Sequence, residues 1–413
     1  MNILINAYAC SPNRGSEPGM GWNWISNLAK SCNLYVITEG EWRQEIESEV
    51  SIHPYKDHLH FFYLPVTPDV RKMCWNQGDW RFYYYYRRWQ KRAYNKAKEI
   101  LDEYDIDVIH HLNMVTFREP GVLWKLDKPF VWGPIGGLTS LPTAYLKDAP
   151  WKLKLKLILK NYLTICQLKF NRRINKALRQ SDAIIAAVPS AQEKILHLKG
   201  IDTILINETG CYEDDKSIID HRHRNEFHIL WVGRFIFTKR LDIALNTIAK
   251  LKIIKNVKFH IVGSGTEEQV TLYRKMAHKL DIDDICEWHG NVEHGEVMEM
   301  MRQSDILFFT SVLEATSTVV PEAINCGLPI VCFNTCGFGP IVTGEIGEKV
   351  DLTIPEESVD RFAEVLLKLY NDKESLHLMS VHCKETIKHL LWEKKAEQMV
   401  GIYQGLLKNE GCR

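Results

Sequence analysis

The sequence has no net charge, no Cys-x-x-Cys pair, no long apolar run and no internal repeat, and each absence removes a class of protein. Lysine plus arginine equals aspartate plus glutamate at 52 each in 413 residues, so no global field suggests a nucleic-acid partner. No run approaches the ~18 apolar residues of a membrane-spanning helix. The amino terminus enters a strand and a polar turn rather than a signal sequence, which makes the cytoplasm the expected compartment. The eleven cysteines are odd in number and read as reduced core thiols rather than a disulfide framework or zinc site. The length exceeds one ordinary core and predicts two domains of about 200 residues. Residues 1–210 and 211–391 are the expected pair, with Cys211 to Asn225 as linker. A last helix from about Trp392 to Leu407, in the tail 392–413, is expected to cross back to the first domain.

What is present begins with residues 314 to 322, Glu-Ala-Thr-Ser-Thr-Val-Val-Pro-Glu, where two carboxylates flank a strand-to-helix junction. The preceding run Asp305 to Phe309 is a short apolar block of the kind that forms a buried parallel strand. Thr318, Pro321 and the apolar series Val319, Val320, Ala323, Ile324 start a helix that Gly327 and Pro329 end. The unpartnered N–H groups of about Thr316, Ser317, Thr318 and Val319 favour an anion such as a diphosphate. Glu314 and Glu322, acceptors when ionised, suit sugar hydroxyls.

Upstream, Phe227 to Val232 reads as a strand running into Gly233-Arg234-Phe235-Ile236-Phe237-Thr238-Lys239-Arg240. Thr238 is the expected N-cap of a helix marked by Leu241, Leu245, Ile248 and Leu251. Arg234 and Lys239 then sit at the carboxyl end of a parallel strand, the edge where open α/β sheets bind ligands. Two unit charges about 4 Å apart are worth roughly 4 kcal/mol at an effective dielectric of ~20, enough to stabilise a departing diphosphate. Val257 to Gly265 is another strand, ending in Gly263-Ser264-Gly265. Without a third glycine it is a poor dinucleotide fingerprint and a better tight turn near a base or ribose. Cys286 to Val292 follows, then a helix ending near Met301. The alternation from Phe227 to about Tyr370 predicts a parallel sheet covered on both faces.

Gly233-Arg234 with Lys239, then Gly263-Ser264-Gly265, His289-Gly290, Glu314 to Glu322 and Gly327-Leu328-Pro329 together resemble the donor half of glycosyltransferase family 4, over roughly residues 227 to 370. The resemblance implies an α/β GT-B fold, two facing Rossmann-like domains with parallel sheets and an interdomain cleft. It also implies transfer of a sugar with retention of anomeric configuration, with no metal and no cofactor beyond the nucleoside diphosphate sugar donor. In the family, residues matching Arg234 and Lys239 contact the donor diphosphate, that matching Glu322 holds the ribose, and that matching Glu314 contacts the transferred sugar. Ala315-Thr316-Ser317 stand where many members have glycines.

In the amino-terminal half, Met1 to Ala7 is a first strand, followed by a loop from Ser11 to Trp22 that holds Gly15, Gly19 and Gly21. Its backbone can lie close to a ligand, with a helix from about Trp22 to Ala29 beyond it. The segment resembles the acceptor-side loop of a bacterial surface-polysaccharide subgroup of the same family, without that subgroup's paired glycines. Asp107 to Asn113 is another strand end, where family members place a histidine near the reacting sugar. Here His110 and His111 are adjacent and face opposite ways on a strand, so one of the two points into the cleft. Pro129 to Gly137, with Gly136, is expected to line the acceptor side.

Charge is uneven locally. Trp151 to Gln180 carries nine lysines and arginines and no acid, with leucines and isoleucines interleaved. Trp75 to Tyr94 mixes Trp80, Phe82, Tyr83, Tyr84, Tyr85, Tyr86 and Trp89 with Arg81, Arg87, Arg88, Lys91 and Arg92. Both stretches, 75–94 and 151–180, suit an anionic bilayer surface, each cation contributing ~1 kcal/mol there. The expected function is a retaining, metal-independent glycosyltransferase acting on a saccharide or lipid-linked saccharide acceptor in cell-surface polysaccharide synthesis, cytoplasmic or peripheral on the inner membrane face. The alternatives are a GT-B sugar-nucleotide epimerase and a non-catalytic nucleotide-binding subunit of a transferase complex. Base, sugar, linkage and acceptor stay open.

Overall fold

A computed structural model of the chain describes residues 1–75, 79–214, 216–220 and 222–410. The stretch 75–94, the linker 211–225 and the tail 392–413 each include residues outside that set. Two parallel sheets organise the rest. The first contains β1 (Asn2–Ala7), β2 (Asn33–Thr38), β3 (Leu59–Tyr63), β4 (Val108–Asn113), β5 (Phe130–Ile135), β6 (Ala183–Ala186) and β7 (Ile204–Leu205), in the order β3-β2-β1-β4-β5-β6-β7. The second contains β8 (Phe227–Val232), β9 (Val257–Val262), β10 (Cys286–Gly290), β11 (Ile306–Phe309), β12 (Ile330–Phe333) and β13 (Gly347–Val350), in the order β10-β9-β8-β11-β12-β13. Central strands β1, β4, β5, β11 and β12 are almost wholly buried, as apolar blocks covered on both faces must be.

The chain divides into two units. One comprises residues 1–138, 163–209 and 392–413, the other 139–162 and 210–391. The segment 139–162, expected in the first domain, belongs to the second: Leu141, Tyr145, Leu146 and Leu157 join the core built on β8, β9 and β11. The helix Trp392–Glu410 groups with the first unit, where Trp392, Ala396, Met399 and Tyr403 pack in one cluster with Trp24 and Ile25.

Each sheet has one place where consecutive crossovers leave in opposite directions, between β1 and β4 in the first and between β8 and β11 in the second. The crevice beyond the carboxyl ends of such strands is where doubly wound sheets take ligands.

Three local expectations need correction. The helix expected from Trp22 begins at Ser16 and runs to Leu28, so Gly19 and Gly21 are helical rather than loop residues. Tertiary packing overrides their poor helix propensity, because a Cβ at Gly21 would lie 2.5 Å from the Ala9 carbonyl oxygen and one at Gly19 2.0 Å from that of Arg14. Thr238 is not an N-cap: a 3-10 turn over Phe237–Lys239 intervenes, and Arg240, left-handed at φ 51°, precedes the helix Leu241–Lys250. The helix after Glu314 starts at Val319, so Thr316 and Ser317 lie in the loop before it and Thr318 is its N-cap.

Candidate functional site

The exits of β8 and β11 are laced together before any ligand group is considered. The Trp231 indole donates to Thr310 Oγ1 at 3.0 Å, Thr310 Oγ1 donates to the Lys239 carbonyl at 2.8 Å, and Val312 N–H donates to the Thr238 carbonyl at 2.9 Å. This places Lys239 against Glu314, and the two form an ion pair with both side chains largely sheltered. Ser311 Oγ donates to the same carboxylate oxygen, Oε1, at 2.5 Å. Oε2 meets no hydrogen-bond donor among the described residues, so it stays available as an acceptor. The Lys239 ammonium also stands 5.0 Å from the centroid of the Phe309 ring. Arg234, by contrast, is exposed and makes no ion pair among the described residues.

Glu322 receives His294 Nε2 at 3.2 Å. His294 opens the helix His294–Gln303 and escapes a reading of the sequence, since nothing in its neighbourhood marks it until the fold sets it beside Glu322. Arg240 escapes it too. It is 1 % exposed, donates through Nε and Nη2 to both carboxylate oxygens of Asp242 and through Nη1 to the Tyr145 carbonyl, and lies over the Phe237 and Tyr145 rings. Its role is packing of the second unit.

The glycines have a structural explanation. Gly263 sits at φ +125°, and a Cβ there would meet the Gly233 carbonyl oxygen at 1.9 Å. Gly233 N–H donates to the Val262 carbonyl, Phe235 N–H to that of Ser264 and Gly263 N–H to that of Gly290. The exits of β8, β9 and β10 therefore touch backbone to backbone. A Cβ at Gly265 would strike Gln269 Oε1 at 2.4 Å and Phe235 Cβ at 2.9 Å.

At the β1–β4 switch of the first unit, Asn113 donates its amide to the Ala9 carbonyl at 2.7 Å and receives Ala9 N–H on Oδ1 at 3.3 Å. Beside this clamp a cavity of about 300 Å³ is lined by Tyr8, Glu17, Trp75, Phe82, Tyr83 and Met114 among others. Glu17 accepts the Val115 N–H, yet burial pushes its carboxyl up to about 7, with the Glu208 charge adding to the shift. Gly15 has open space where a Cβ would stand, with no atom within 4 Å, and Gly136 serves through its carbonyl, which accepts Phe117 N–H at 3.2 Å.

The two histidines correct the sequence reading. His110 bonds Tyr403 Oη through Nδ1 at 2.6 Å and the Gly133 carbonyl through Nε2 at 2.7 Å. His111 bonds Asn6 through Nδ1 at 3.1 Å and the Glu119 carbonyl through Nε2 at 3.2 Å. They do face opposite sides of β4, but both sides are covered, so neither ring offers a free nitrogen to a sugar. Burial lowers the pKa of each to about 4. The basic and aromatic stretches divide similarly. Phe82, Tyr86 and Trp89 are core residues, and Arg87 and Arg173 both pair with the buried Glu119. Trp80, Tyr84, Trp151, Leu155 and Tyr162 are exposed.

Comparison with known proteins bears on the second unit first. Residues 214–385 match the family model described as glycosyl transferases group 1. The N-acetyl-alpha-D-glucosaminyl L-malate synthase of Bacillus anthracis is 23 % identical over 254 residues, covering 58 % of this chain and 64 % of that one. The match thus spans under two thirds of that relative's length. Among solved structures, Anabaena HepE in complex with UDP superposes at a TM-score of 0.63 with 14 % identity, covering 98 % of this chain and all 100 % of the other. WaaG, described as a glycosyltransferase involved in lipopolysaccharide biosynthesis, superposes at 0.59 with 15 % identity over 98 % of this chain and 100 % of its own.

Proposed function

We propose, starting from a chain that has the GT-B fold and carries a glycosyl transferases group 1 domain over residues 214–385, that it moves a sugar from a nucleoside diphosphate sugar to a saccharide acceptor. The observation that carries this reading is the meeting of Lys239 and Glu314 at the switch between β8 and β11, with Arg234 exposed on the segment that leaves β8. The donor diphosphate is taken by Arg234 and Lys239, beside the loop of Thr316, Ser317 and Thr318. As the glycosidic bond breaks, negative charge grows on the diphosphate, and two cations stabilise it more than they stabilise the bound donor. Lys239 enters that role already oriented by Glu314, whose Oε2 accepts a hydroxyl of the transferred sugar. Glu322 takes the ribose hydroxyls, with His294 fixing its carboxylate.

The acceptor hydroxyl attacks from the face the diphosphate leaves, a diphosphate oxygen takes its proton, and configuration is retained. No metal is needed in this scheme because the side-chain cations supply the counter-charge. Support for a nucleotide sugar comes from the UDP described in the HepE structure, and support for surface polysaccharide synthesis from the pathway named for WaaG.

A lipid-linked acceptor at the cytoplasmic membrane face is favoured by Trp151, Leu155, Ile158, Leu159 and Tyr162. They form an exposed apolar stripe at helical spacing among Lys152, Lys154 and Lys156. No described helix is long and apolar enough to cross a membrane.

Calorimetric titration with UDP, GDP and ADP tests the donor site. Wild type should bind one of the three, and Glu322→Ala should weaken that binding tenfold or more. No binding to any nucleotide, or identical binding by the variant, would sink the assignment. Product analysis by NMR with and without a saccharide acceptor then separates transfer from epimerisation and from silent binding.

A further inference from the structure

Three histidines run diagonally across the edge of the second sheet, none of them among the groups assigned to the donor. His228 is on β8, His260 on β9 and His289 on β10. Strand pairing sets Glu287 opposite His260, and His289, two residues on, joins the same face. His228 and His260 stack with centroids 5.1 Å apart and planes 6° from parallel, and His260 and His289 approach at 5.3 Å. With Glu226 and Met300 the three imidazoles face a cavity of about 410 Å³.

One assignment of protons fits these contacts. With His228 Nε2–H turned to Glu226 Oε2, 3.4 Å away, His228 Nδ1 is the acceptor. His228 Nδ1 is 2.8 Å from His260 Nε2, which must therefore hold the His260 proton. His260 Nδ1 is left as a bare lone pair. It lies 3.3 Å from Glu287 Oε2, an anionic oxygen, and 3.1 Å from His289 Nε2. His289 Nε2–H donates to that lone pair, and Glu287 Oε2 beside them stays clear of Lys258, which holds the other carboxylate oxygen, Oε1, at 3.3 Å.

We propose that His260 Nδ1, Glu287 Oε2 and His289 Nε2 bind a divalent transition-metal ion of the zinc type. The three residues' ligand atoms lie within 4.8 Å of one another. Zinc bonds of about 2.0–2.1 Å at tetrahedral angles require ligand atoms about 3.3 Å apart, close to the two separations just given. Two imidazoles and a carboxylate are a borderline donor set that suits zinc rather than magnesium or calcium. The chain Glu226–His228–His260 is the outer shell such a ligand needs, holding its tautomer and ring plane. His289 is exposed and moves its proton to Nδ1 on binding, while water completes the fourth position. The ion ties β10, an edge strand paired only with β9, to its one neighbour.

The test is a titration of the untagged chain with Co2+ and with Zn2+, read by visible absorption, competition with a chromogenic chelator and the thermal midpoint. Wild type should take up one ion with d–d bands typical of nitrogen and oxygen ligands, and its midpoint should rise with metal concentration. His289→Ala, at an exposed position that leaves folding intact, should lose at least tenfold in affinity along with the midpoint shift, and Glu287→Gln should do the same. The proposal is overturned if wild type binds no ion, if the variants bind as wild type does, or if a sulfur-to-metal charge-transfer band shows that cysteines hold the ion.

Discussion

His110 and His111 are neutral and enclosed, and that fixes how acid acts on the chain. Each has a folded pKa of about 4 against an ordinary value of 6.5. Between those values each histidine binds more protons in the unfolded chain than in the folded one, so its contribution to stability is full above about pH 6.5 and declines as pH falls towards 4, opposed by Glu17, whose raised carboxyl favours the folded state as pH falls. Each histidine contributes a slope of at most about 1.4 kcal/mol per pH unit inside that window. Between pH 7 and pH 5 the urea midpoint of wild type should therefore lose more than that of His111→Gln. Equal slopes for the two proteins would show that His111 is not buried neutral. The same histidines mark a limit of sequence reading. Alternation along β4 correctly sends them to opposite faces, but only the fold reveals Tyr403 waiting on one side and Glu119 on the other.

At the scale of elements, the strands are legible in the sequence and the junctions are not. Ile306–Phe309 and Ile330–Phe333 announce themselves because buried parallel strands need unbroken apolar blocks. The family resemblance likewise rests on loops leaving such strands, and Lys239 and Glu314 do meet at one switch point. The helix Ser16–Leu28 is hidden because its glycines answer to a neighbouring backbone rather than to helix propensity. Alanine substitutions should separate the two kinds of glycine. Gly15→Ala, with open space around it, should stay within about 0.5 kcal/mol of wild type. Gly21→Ala, driven into the Ala9 carbonyl, should cost about 1–3 kcal/mol, as overpacking does. Guanidinium melts of the two variants decide it, and equal stabilities would refute the close-approach account.

For the whole molecule, a net charge of zero conceals a polarised surface. The lysines and exposed apolar residues of 151–162 form one patch that composition averages away. The chain should float with vesicles containing anionic lipid and remain behind with purely zwitterionic ones, and Leu155→Asp with Leu159→Asp should abolish flotation. Indifference of the wild type to anionic vesicles would remove the membrane reading while leaving the donor site standing. The long-range exchange of segments is beyond sequence pattern, since nothing local in 139–162 says which core will receive its leucines. The helix Trp392–Glu410 sets Trp392 against Trp24 at 5.7 Å, supplies Tyr403 to His110 and donates Lys395 to the Asn207 carbonyl. On the ribosome, then, the unit whose first strand is made earliest cannot finish folding until Trp392 and Tyr403 have left the exit tunnel. Through most of translation, Trp24 and one face of β4 are surfaces for a chaperone to shield.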